Sequence, residues 1–137
     1  MKQLSIFALI SFFACSCNFG DEPDPLKTAE LWKLAGYSNP FSSTPGIVGV
    51  QDSAYVYTLF ATGEFTKMVG KNEIKGTFEK GTLGDRTTVT FNFATPKNLL
   101  IHSCTQGKEQ YYIDGSGQMI GTWDICDGAK LYFKKEN

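Results

Sequence analysis

Four cysteines, one histidine and a scatter of serines and carboxylates are the residues of this 137-residue chain whose types could do chemistry. Their spacing closes most of those routes. His102 and Ser103 are neighbours on an expected strand, where successive side chains point to opposite faces, so they cannot meet as base and nucleophile. His102 reads instead as a surface or rim residue. Asp114-Gly115-Ser116-Gly117 has the look of a calcium loop but lacks the further carboxylates and the closing glutamate, which leaves a turn. Cys104 and Cys126 lie in the body of the chain, and in an oxidising compartment they are expected to form a disulfide. A metal site is the alternative, with His102 as its single extra ligand and no second cysteine pair to complete it. Closing a loop of this length stabilises by about 3 kcal/mol on the chain-entropy account. No catalytic set emerges, and no enzyme activity, metal or cofactor is expected.

The other two cysteines sit at the end of an apolar run. Met1-Lys2-Gln3 supplies one positive charge, residues 4–13 are apolar apart from Ser5 and Ser11, and Ala14-Cys15-Ser16-Cys17 follows. The run is too short to span a hydrocarbon core of roughly 30 Å as a permanent helix, so it reads as a secretory signal peptide over residues 1–14. Phe12-Phe13-Ala14-Cys15 resembles the lipobox of bacterial lipoproteins, which carry an apolar residue at minus three, a small one at minus one, and then the acylated cysteine. The resemblance implies lipid on Cys15, with Cys17 as the alternative, and an outer-membrane lipoprotein of the cell envelope facing the periplasm or the surface. Acyl chains at about 0.8 kcal/mol per buried methylene anchor a small domain without inserting it. Residues 15–25 form an acidic linker, since Asp21, Glu22, Asp24, Pro23, Pro25 and Gly20 disfavour helix and ladder alike.

Residues 26–137 are then one domain of ordinary size. The formal net charge is −1, and Lys67, Lys71, Lys75, Lys80, Arg86, Lys97 and Lys108 interleave with Glu64, Glu73, Glu79, Asp85 and Glu109. A nucleic-acid footprint would be clustered and of one sign, so nucleic acid is discarded as a partner.

Short alternating segments separated by turn residues run through the domain, the pattern of an antiparallel sandwich or barrel with little helix. Strands are expected over residues 31–37, 55–60, 64–69, 73–80, 87–93, 99–104, 110–114, 118–125 and 130–134, with a single helical turn over 24–30. Val89, Phe91 and Phe93 alternate with Thr88, Thr90 and Asn92, and Ile74, Gly76 and Phe78 with Lys75, Thr77 and Glu79. Each such strand has a wet face and a dry one. Gly63, Gly70, Gly107 and Gly117 mark tight hairpins, which favours a meander. Residues 38–53 are the exception. A connection of that length is uncommon in a compact domain, and with Phe41, Ile47, Val48 and Val50 it reads as a packed lid.

Leu31-Trp32-Lys33-Leu34, the hairpin around Ala61-Thr62-Gly63, Gly76-Thr77-Phe78 and Cys126-Asp127-Gly128 ahead of Leu131-Tyr132-Phe133 resemble, in order and spacing, the small lipocalin-like lipoproteins. The resemblance implies an all-β fold, a single antiparallel up-and-down barrel of eight to ten strands closed at the Trp32 end, with the lid arching over the other. On that reading the protein is a monomer that holds a small apolar or amphipathic ligand between Phe41 and Ile47 of the lid and Tyr57, Phe78, Phe91 and Trp123 of the wall. The alternative is a barrel filled by its own side chains that serves as an envelope interaction or accessory subunit. An interior below roughly 300 Å³ would favour the second.

Overall fold

The computed structural model describes residues 29–43 and 46–136. The lipobox, the acidic linker and all but the last two residues of the expected helical turn lie outside that range.

Alternation becomes a closed sheet. β1 (Glu30–Ser38), β2 (Val48–Gly49), β3 (Tyr55–Leu59), β4 (Glu64–Val69), β5 (Asn72–Leu83), β6 (Arg86–Phe93), β7 (Lys108–Ile113), β8 (Met119–Gly121) and β9 (Lys130–Glu136) follow in chain order. Each strand from β3 to β9 pairs antiparallel with the next, and β9 returns to pair with β1 from Leu31↔Glu136 to Ser38↔Lys130. The result is an eight-stranded up-and-down barrel with β2 as one additional strand. Dry faces turn inward as the pattern requires: Tyr55, Tyr57 and Leu59 from β3, Phe65 from β4, Val89, Phe91 and Phe93 from β6, Tyr111 from β7, Met119 from β8, and Leu131 and Phe133 from β9 form one core with Trp32.

One end of the barrel carries the start of β1, the hairpins β3–β4, β5–β6 and β7–β8, and the end of β9. At this end β5 runs on past its partner β4 to Leu83. Lys80 there reaches Glu30 of β1 at 2.9 Å, and Glu30 also accepts from the Trp32 indole at 3.2 Å. At the opposite end lie residues 39–54, 70–71, 94–107 and 122–129. Gly76 has the β6 backbone directly against it: a Cβ there would lie 2.0 Å from the Asn92 carbonyl oxygen, so no larger residue fits without moving the ladder.

Three expected elements differ. Residues 99–104 are not a strand. Nor does the strand expected over 118–125 run its length, because it stops at Gly121 and gives way to a 3-10 turn, Trp123–Cys126, closed by Asp127 in the left-handed region at φ 68°. Nor is the segment 38–53 a packed lid: most of its described residues are exposed. Its middle forms β2, which pairs with the far half of β1 (Gly36↔Gly49, Tyr37↔Val48), close enough that a Cβ on Gly36 would meet Ile47 at 2.8 Å. Backbone pairing at the sheet edge satisfies donors that a free loop would leave to water.

Candidate functional site

The barrel interior holds an ion pair. Lys67 of β4 and Glu109 of β7 both occupy inward positions of their strands, Lys67 between Phe65 and Val69 and Glu109 two residues before Tyr111, and both side chains have no exposed surface. The Lys67 ammonium lies 2.6 Å from Oε1 of Glu109. It also donates to the Leu100 carbonyl. Oε1 of Glu109 accepts from the His102 amide at 2.5 Å, while Oε2 accepts from the Tyr57 hydroxyl and, at 3.3 Å, from that of Tyr111. Taking two charges out of water costs several kcal/mol each, and only such a full set of partners offsets it. No buried side-chain polar atom among the described residues is left without one.

Aromatic rings wall the pair. The ammonium lies 5.0 Å from the Tyr55 ring centre and 5.4 Å from those of Tyr57 and Phe93, within cation–π range. Burial first, and the Glu109 charge second, push the Tyr55, Tyr57 and Tyr111 hydroxyls well above their usual range, so all three remain protonated. Burial also pulls Lys67 down, and Glu109 works against that shift.

Above the pair sits His102. Its ring stacks on Trp123 at 4.6 Å between centres and 15° between planes, and Nδ1 lies 2.9 Å from the Tyr55 hydroxyl. Burial, then the Lys67 charge, lowers its pKa to about 4, so the imidazole is neutral near pH 7. The rim position expected from sequence is right in outline, although His102 is a half-buried part of a network. The expected disulfide is present: Cys104 and Cys126 are bonded, with Cα atoms 5.6 Å apart, and tie residues 94–107 to the turn that carries Trp123.

Of the residues expected to line a ligand site, the structure gathers three inside. Tyr57 stacks on Phe91 at 4.5 Å, and half-buried Phe78 stands 6.4 Å from Phe91. Trp123 lies at the far end, separated from them by His102 and Tyr55. Phe41 and Ile47 are 71% and 59% exposed and are not part of the core. Lys67 and Glu109 were read in the sequence as two more interleaved charges. The signal that marks them is a charge at the inward phase of each of two strands, of opposite sign.

Tyr57, Phe65, Phe91, Met119 and Phe133 have at most 1% of their surface exposed, which leaves no water-sized void beside them. Clefts occur on the outside. One of about 460 Å³ lies between the β5–β6 and β7–β8 hairpins, where Arg86 crosses the Tyr112 ring, and one of about 160 Å³ lies beside the disulfide. Among the described residues no group of three or more histidine, cysteine and acidic side chains is placed to hold a metal ion. No protein-family model matches the chain, and neither curated proteins nor solved structures yield a match.

Proposed function

We propose that this chain is a lipid-anchored cell-envelope protein of the lipocalin-like kind whose barrel is filled by its own side chains, and that it acts through its outer surface as an interaction or accessory subunit. The observation that carries this reading is the packed interior. A carrier needs an enclosed space of roughly 300 Å³ or more. Here the volume is taken by Tyr57, Phe65, Phe91, Tyr111 and Phe133 and by the Lys67–Glu109 pair. The anchor rests on the Phe12-Phe13-Ala14-Cys15 junction, and β1 begins at the Trp32 end, opposite the disulfide. The disulfide end bears Phe41, Ile47, Leu99 and Ile125, large apolar side chains exposed on three separate connections, and this end is the one we assign to a protein partner.

Two measurements test the proposal. A fluorescent fatty acid titrated into the purified protein is expected to show no saturable binding up to high micromolar concentration; saturable binding would restore the carrier reading. Clickable palmitate fed to cells is expected to mark the protein, and Cys15→Ala to abolish the mark while Cys17→Ala keeps most of it. Label lost only in Cys17→Ala would move the lipid to that residue, and label lost in neither would remove the anchor.

A further inference from the structure

Residues 98–103 fill the disulfide end of the barrel in the manner of a bound ligand. The segment is not part of the sheet. It meets the interior through the Leu100 carbonyl, which accepts from Lys67, the His102 amide, which donates to Glu109, and the Ile101 side chain, which packs on the core. Leu99, between these contacts and the solvent, is 98% exposed. Without the segment the buried pair would lose one partner at each charge and face water. Besides these three contacts the segment is held by the turn contacts at Asn98, the His102–Trp123 stack, the Tyr55–His102 hydrogen bond, and the Cys104–Cys126 bond. Both cysteines lie at the surface, where a reductant can reach them.

We propose that residues 98–103 are a redox-latched plug, held over the Lys67–Glu109 pair by the Cys104–Cys126 disulfide and released when that bond is reduced. A small dithiol or a thioredoxin-like dithiol protein supplies the two electrons and two protons. The S–S bond breaks, Cys104 and Cys126 each gain a hydrogen on sulfur, and the donor is oxidised to its own disulfide. The eight-stranded ladder does not depend on the latch, because neither cysteine lies on a strand and β1 to β9 close through their own pairing. Release therefore opens one end of an intact barrel. It exposes a site with an ammonium, a carboxylate and the tyrosine hydroxyls of Tyr55, Tyr57 and Tyr111 around it, shaped at present to peptide groups. The proposal does not require the anchor, and it concerns the reduced protein, whereas the fatty-acid titration above reads the oxidised one.

Lys67 reports the opening directly. The full chain, oxidised or treated with dithiothreitol, is exposed briefly to an amine-acylating reagent, and modification of Lys67 is read by peptide mass spectrometry against Lys75, whose side chain is 67% exposed. Amide exchange across β5 and β6 reads the barrel in the same samples. Lys67 is expected to be protected when oxidised and to react roughly tenfold or more faster after reduction, because local opening then sets its exposure. The β5 and β6 amides should stay protected throughout. The double variant Cys104→Ser/Cys126→Ser should behave as the reduced protein with no reductant added. Lys67 equally protected before and after reduction would overturn the proposal. So would acceleration accompanied by loss of β5 and β6 protection, since the bond would then be holding the whole barrel.

Discussion

Removing one member of the Lys67–Glu109 pair strands the other charge in a dry interior. Glu109→Gln should therefore cost about 3–5 kcal/mol, read as a fall in the urea midpoint. Lys67→Met combined with Glu109→Leu should cost less than Glu109→Gln alone, because the groups left without their partner, the Leu100 carbonyl, the His102 amide and the Tyr57 and Tyr111 hydroxyls, are all neutral, the two hydroxyls still have each other, and no charge stays buried alone. A double variant worse than the single would mean that the pair contributes net stability. His102 supplies a second test at this scale. As the only histidine it titrates alone, and its folded pKa of about 4 lies below the ordinary value of 6.5. The unfolded chain takes the proton first on acidification, so this contribution is complete above about pH 6.5 and is lost as pH falls toward 4. Proton NMR should place the imidazole midpoint near 4. The stability of His102→Gln should vary less than wild type between those two pH values, and equal slopes would count against the buried neutral imidazole.

Among the elements, glycine positions separate backbone contact from open space. Gly76→Ala places a methyl group against the Asn92 carbonyl, a backbone atom that cannot turn aside, and should cost about 1–3 kcal/mol or more in chemical denaturation. Gly49→Ala on β2 meets nothing within 4 Å and serves as the control, with a change within about 0.5 kcal/mol. The strands were legible where one face is wet and one dry: β4, β6 and β9 follow the alternation of Phe65 with Thr66, Phe91 with Asn92 and Phe133 with Tyr132. Residues 99–104 misled because Leu99-Leu100-Ile101 has a strand's composition, yet these residues contribute backbone groups to two charges, a demand that becomes visible only once the barrel exists. Phe41 and Ile47 misled for the opposite reason. Their apolar character suggests burial, but the pairing of β2 onto β1 decides which way the segment faces. The disulfide was legible because only two cysteines remained beyond the apolar leader. Lys67 and Glu109 were not, since a charge in a strand is ordinarily a solvated one.

For the molecule as a whole, the ladder that completes the ring joins the first strand to the last, with Leu31 opposite Glu136. Pairs so distant in the chain carry the largest loop-closure cost and place such folds among the slower two-state folders, in the millisecond to second range. This closure also sets an order in time. While a chain is still being made, β3 to β8 can meet their neighbours as they emerge, but β1 has its β9 side unfilled until residues 130–136 are free. A nascent chain stalled before Lys130 should thus stay sensitive to a gentle protease, and the released chain should become resistant within seconds; early resistance of the stalled chain would show that the meander is stable without its final strand. Folding of the barrel therefore waits on its last strand, and a chain that has not finished folding is still able to thread through a narrow channel.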